Sequence, residues 1–145
     1  MTKTLKVITV LLLVLCLPLQ ISAQERWSRV PSTTPSMEIY IDKQSLIFET
    51  DNNSYSKTYN HKFVTAWVVY DDYQQGVTLK TYAKYNLTNS SFKFLTICRY
   101  TIEGELLDYM TTPDVNYSFI PPESNGENVL TTLWIYWLMH RDGLI

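Results

Sequence analysis

The densest polar cluster in this chain is Glu123-Ser124-Asn125-Gly126-Glu127, set between Pro121-Pro122 and an apolar run. A serine nucleophile needs a base within reach of its hydroxyl, and neither of the two histidines, His61 and His140, stands beside Ser124 in sequence. Each histidine also lacks a second ligand at metal spacing. Asp71-Asp72, at a strand end, could hold a cation, although paired acids in a turn are ordinarily just solvated. Four glycines make no phosphate-cradling loop, and the G-x-S-x-G elbow does not occur. The chain therefore reads as a non-enzyme, with no catalytic residue, cofactor or metal assigned.

Recognition chemistry is easier to find. In the stretch TLKTYAKYNL, Leu79, Ala83, Tyr85 and Leu87 share one face, and Lys80, Tyr82 and Lys84 share the other. On a strand, alternate side chains project together, so these three would form a small surface of cations around an aromatic ring, a composition common in binding faces. The same pattern is also what the solvated side of a sheet looks like. Lys80, Tyr82 and Lys84 are the candidate binding residues.

The polar cluster itself has a structural reading. Ser124-x-x-Glu127 is a capping box, in which the serine hydroxyl accepts from the Glu127 amide and the Glu127 carboxylate reaches back to the Ser124 amide. Val129, Leu130, Leu133, Trp134, Trp137 and Leu138 follow at helical spacing. His140 and Arg141 suit a helix C-terminus, and Gly143 can close it. The run LWIYWLM at 133–139 is apolar nearly all round, more than one sheet contact needs. Ile135, Tyr136 and Met139 are the surplus, and a homodimer through this helix is one way to cover them.

The elements upstream are strands. A short first strand lies around 27–30, then a Ser/Thr/Pro loop. MEIYIDK alternates, with Met37, Ile39 and Ile41 on one face. Asp42 to Ser45 has turn chemistry. The polar stretch 49–62 reads as an exposed loop or hairpin tip, and FVTAWVVY at 63–70 as a central strand covered on both sides. A turn at 71–76 leads to the strand carrying Lys80. Another turn at Asn89-Ser90-Ser91 leads to a strand at 92–102, which Glu103-Gly104 reverses into 106–112. Cys98 falls inside this apolar pattern, where a buried inert thiol is expected. Together these predict an α+β fold: an antiparallel meander sheet of about six strands with one C-terminal helix packed on a face.

The N-terminal 1–23 looks like a cleavable signal peptide. Lys3 and Lys6 precede an eleven-residue run, 7–17, apolar except for Thr9, and Ala23 ends a small-residue cleavage site. Such a run rises about 16 Å as a helix, short of the ~30 Å hydrocarbon core, so no transmembrane span is expected after its removal. Leu15 is too bulky for Cys16 to read as a lipoprotein cysteine. Residues 24–145 then form a single domain. Removing Lys3 and Lys6 leaves ten basic against 14 acidic residues, with no basic stripe for nucleic acid. Cys98 would be the sole cysteine, leaving no internal disulfide. Asn52, Asn86, Asn89 and Asn116 each begin a glycosylation sequon.

The order of these pieces resembles the surface-adhesin protein E family of small secreted bacterial domains. The resemblance rests on WSRV, YIDKQSL, VTAWVVYDD, TLKTYAKYN, the FLTICRYTIEGELLDY hairpin and the aromatic-Ile-Pro-Pro-x-Ser-x-x-Glu helix start, and covers 27 to about 138. It implies a sheet of about six strands with the helix across it, an exported protein at the cell surface, in the periplasm or secreted, and adhesion to host or extracellular-matrix proteins. The alternative expectation is a periplasmic small-ligand-binding or envelope-maintenance protein, with a pocket between helix and sheet lined by Trp134 or Trp137.

Overall fold

The computed structural model describes residues 26–51, 60–111 and 113–145. The expected signal peptide, and the sequon and loop residues at 52–59, lie outside them. An eight-stranded antiparallel sheet carries one helix. In chain order the elements are β1 Trp27–Val30, β2 Met37–Asp42, a 3-10 turn Lys43–Ser45, β3 Ile47–Asp51, β4 His61–Asp72, β5 Val77–Asn86, β6 Ser91–Thr101, β7 Leu106–Met110, β8 Ser118–Phe119 and α1 Asn125–Arg141. The main path runs β1-β2-β4-β5-β6-β7, with β3 also paired to β4 and β8 to β6.

The six strands of the main path are the ones the sequence predicts; β3 and β8 are additional. β3 arises because β4 is twelve residues long and β2 covers only part of it. β2 pairs with Val68 to Asp72, and β3 pairs with His61 to Thr65. The 3-10 turn separates the two. Its N-cap is Asp42, whose Oδ1 accepts from the Gln44 amide at 3.1 Å. The gap leaves the Trp67 amide without a strand partner, and the Ser45 hydroxyl accepts from it at 2.9 Å while donating to the Asp42 carbonyl at 2.8 Å. Asp42 and Ser45 are thus fixed by backbone groups that would otherwise go unpaired. The same device recurs on β6. Between its pairings with β7 and β8, the Phe94 amide donates to Asp114 Oδ2 at 3.0 Å, and the Phe94 carbonyl accepts from the Asp114 amide at 2.8 Å.

The core lies between the sheet and α1. Ile39, Ile41, Val64, Ala66, Val68 and Ala83 from the sheet, and Val129 and Leu133 from the helix, are fully enclosed. The helix begins where the sequence places it. Ser124 Oγ accepts from the Glu127 amide at 3.2 Å, but the return bond differs from the predicted one. Glu127 Oε2 accepts from the Glu123 amide at 2.6 Å rather than from that of Ser124, because Glu123 adopts a left-handed φ of 58° that turns its N–H toward the helix. Gly143, at φ 71°, closes the other end, its amide donating to the His140 carbonyl.

Asn125 ties the helix start to the β1–β2 loop. Its Oδ1 accepts from the Thr33 amide at 2.8 Å and the Thr33 hydroxyl at 3.0 Å, and Asn128 Nδ2 donates to the Pro31 carbonyl at 3.0 Å. At the far end Phe48 of β3 stacks on His140, ring centres 4.3 Å apart, and meets Trp137 edge-on. No described helix is long and apolar enough to cross a membrane.

Candidate functional site

The helix occupies one side of the sheet, and among the described residues no element covers the other. β4 is therefore not sandwiched between two layers, as its sequence suggests. Thr65 and Val69 on the open side are buried all the same, and at one margin Tyr117, from the segment before β8, packs on Phe63. The turn after β4 is shorter than expected, since Asp71 and Asp72 still belong to the strand. As consecutive strand residues they point to opposite faces. Asp71 accepts from the Thr78 hydroxyl at 2.6 Å, and Asp72 caps the turn through the Gln74 and Gln75 amides. They do not form a joint cation site, and no cluster of three or more metal-binding side chains occurs among the described residues.

Lys80, Tyr82 and Lys84 all project from the open face, but their surroundings differ. Lys80 is exposed, with its ammonium 4.9 Å from the centre of the Tyr100 ring. Tyr82 is half-buried and stacks on Trp67. Lys84 is half-buried too: it lies over Phe63 at 4.8 Å and forms an ion pair with Glu49 of β3. Its charge is already matched within the fold, which leaves Lys80 as the freer of the two cations.

Register makes a continuous row of this face. Arg29 stands opposite Tyr40, Tyr40 opposite Val69, Val69 opposite Lys80, Lys80 opposite Cys98, and Cys98 opposite Tyr109. Cys98 is thus half-buried on the open face rather than sealed in the core. The rows beside it bring Trp67 and Tyr82 next to Thr96, and Glu38, Asp71 and Thr78 next to Tyr100. A depression of about 580 Å³ lies in this surface, with Trp27, Tyr40 and Tyr100 as its aromatic walls and Lys80 and Asp71 as its charged ones.

One corner of the face is electrostatically organised. Glu38 accepts from the Tyr40 and Tyr73 hydroxyls, both at 2.9 Å, and from Arg29 at 2.7 Å. The two hydroxyls hold the Glu38 carboxyl below its ordinary range, and the charged carboxylate pushes both tyrosines up. Sequence reasoning found the strand carrying Lys80 and missed Trp27, Tyr40, Trp67 and Tyr100. For Tyr40 the signal is position, on the outward phase of the alternating MEIYID strand; Trp67, in a strand apolar on both faces, carries none.

At the helix start, Ser124 donates its hydroxyl proton to the Pro121 carbonyl at 2.6 Å, so the cluster that opens the helix is a cap. Asn86 is buried and its Nδ2 meets His61 Nδ1 at 3.3 Å, a setting that leaves no room for a glycan, whereas Asn89 and Asn116 are exposed. On the helix side a second cavity, of about 370 Å³, opens beside the start of α1. Neither Trp134 nor Trp137 lines it, contrary to the expectation for a small-ligand pocket; Tyr70, Tyr85, Phe92 and Phe94 do.

The fold and this surface define an α+β domain whose antiparallel sheet is open on one side. No protein-family model, curated protein or solved structure matches the chain.

Proposed function

We propose that the protein is a non-enzymatic binding domain of the cell exterior or envelope, whose open sheet face docks onto a host or extracellular-matrix protein. The observation that carries this reading is the aromatic-and-cation surface around the 580 Å³ depression, uncovered by any described element. Rigid aromatic rings offer large contact area with little loss of rotamer freedom, and cations over such rings recur at protein-binding faces. The resemblance of the sequence to the surface-adhesin protein E family, and the signal-like 1–23, support the same reading.

Lys80 and Tyr82 are the centre of the proposed contact, with Lys84 holding Phe63 and Glu49 in place at its margin. The test is binding of the purified protein to a panel of immobilised matrix and serum proteins. Lys80→Glu and Tyr82→Ala each weaken the captured interaction by about tenfold or more if they are anchors, while Arg141→Ala, at the end of the helix, leaves it intact. A partner that binds all of these variants equally rules out this face. Protease treatment of intact and permeabilised source cells tests the location: cleavage only after permeabilisation counts against adhesion.

A homodimer through the C-terminal helix belongs to the same proposal. Of the expected surplus residues only Ile135 is exposed, at 54%, while Tyr136 and Met139 are half-buried; Leu138, expected on the packed stripe, is 40% exposed beside it. Light scattering that finds a strict monomer at high micromolar concentration removes it.

A further inference from the structure

The cavity on the helix side has a physical origin in how α1 crosses the sheet. The helix packs along β1, the β1–β2 loop and β3, as the Asn125, Asn128 and Phe48 contacts show. The β5–β6 half of the same face extends past it, and Leu79, Phe92 and Phe94 stand beside the helix start without being covered. Phe92 meets Phe94 edge-on at 4.9 Å and Tyr85 at 6.1 Å, so three rings make a continuous wall. Ile120 and Gly126 close the side nearest α1.

Polar groups enter this apolar space at two places. The Tyr70 and Tyr85 hydroxyls neighbour one another, and burial pushes both tyrosines up, Tyr85 strongly. At the rim lies Arg99. Among the described residues only its Nη2 is engaged, by Asp108, and the side chain is 51% exposed, so further guanidinium N–H groups are open to an incoming anion. Asp72, also on the rim, is turned to the Gln74 and Gln75 amides.

We propose that this cavity binds a small apolar carboxylate, its hydrocarbon body among Tyr70, Tyr85, Phe92 and Phe94 and its carboxylate at Arg99. Size sets the body: an apolar cavity of about 150 Å³ holds one benzene, so about 370 Å³ suits a bicyclic ring system or a medium-length chain. Arg99 sets the head group, as the one cation among the described residues that line the cavity and the side chain best shaped for a planar carboxylate. The site lies on the opposite side of the sheet from Lys80, so it does not depend on the protein-binding proposal.

Titration with 2-naphthoate, followed by NMR of the aromatic rings and by calorimetry, tests this, with uncharged 2-naphthol as the matched control. The expected result is saturable micromolar binding of naphthoate that shifts the Phe92 and Phe94 resonances and leaves Trp67 and Tyr82 unmoved. Arg99→Gln weakens naphthoate by about tenfold and leaves naphthol unaffected. Val77→Phe, which places a ring in the cavity, weakens both. If Val77→Phe does not fold, the shift map and Arg99→Gln still decide. No saturable binding at millimolar naphthoate, shifts confined to the open face, or indifference to Arg99→Gln overturns the proposal.

Discussion

Trp67 of β4 and Tyr82 of β5 stand directly opposite in register, and their rings stack with centres 5.1 Å apart and planes inclined by 29°. The pair lies on the open face, and the Trp67 amide is held by the Ser45 hydroxyl. Tyr82→Ala therefore acts on stability as well as on binding. It is expected to cost about 1–2 kcal/mol, from the lost stacking and apolar contact. Urea unfolding followed by circular dichroism measures this, and Trp67 emission moves to longer wavelength. Tyr82→Phe, which keeps the ring, leaves both nearly unchanged.

The helix start makes a second prediction. Ser124→Ala removes the hydroxyl acceptor of the Glu127 amide, leaving it only the Ser124 carbonyl, and is expected to cost about 1 kcal/mol. Asn125→Ala leaves the Thr33 amide and hydroxyl without their acceptor and costs a similar or larger amount, about 1–2 kcal/mol. Denaturant midpoints of the two variants check both values.

Acid should loosen the join between β1 and the 3-10 turn. Arg26 donates through Nε and Nη2 to the two oxygens of Asp42, whose side chain is 4% exposed. These bonds, with the Gln44 amide, hold the Asp42 carboxyl below its ordinary value. A depressed carboxylate contributes its stability in full above the ordinary aspartate range, about pH 4, and loses it as pH falls through the lowered native value. Wild type should thus lose stability toward lower pH more steeply than Asp42→Asn. Equal slopes in a series of thermal melts from pH 6 to pH 2 would contradict this.

Two neighbouring helix residues should separate cleanly. Leu133 is fully buried and Ile135 is 54% exposed. Leu133→Ala opens a cavity against the sheet and is expected to cost about 2–5 kcal/mol, whereas Ile135→Ala changes monomer stability by no more than about 0.5 kcal/mol. A large effect at Ile135 that grows with protein concentration would point to a second copy covering it.

Local chemistry was readable wherever the sequence had one dominant pattern. MEIYID alternates because Ile39 and Ile41 are fully enclosed, and Ser124-x-x-Glu127 opens the helix because its side chains satisfy first-turn amides that lack intrahelical partners. β3 was hidden because its register depends on the Asp42 and Ser45 bonds rather than on apolar alternation, and four of its five residues are exposed. Pattern could not say which side of β4 is open, since Val64, Ala66 and Val68 are as apolar a set as Thr65, Trp67 and Val69. The return bond of the cap went to Glu123 through a positive φ that nothing in the residue type announces. The sites were harder still. The partner of Lys84 is Glu49, 35 positions away and on a strand the sequence conceals, and the 370 Å³ cavity gathers Met37, Tyr70, Tyr85, Phe94 and Ile120 from separate elements.

The clasp between α1 and the β1–β2 loop bears on the order of folding. Most strand pairings here join neighbours along the chain, and such contacts close short loops at small entropic cost. The bonds from Asn125 and Asn128 to Pro31, Thr33 and Met37 instead span 88 to 97 residues. Seating the helix is accordingly expected to come late in folding, after the local strand pairings. In hydrogen–deuterium exchange the amides of Val129 to Trp137 should exchange together and ahead of those of β4 and β5. Because the helix carries Gly126, which closes one side of the ring-lined cavity, each undocking also opens the cavity to water.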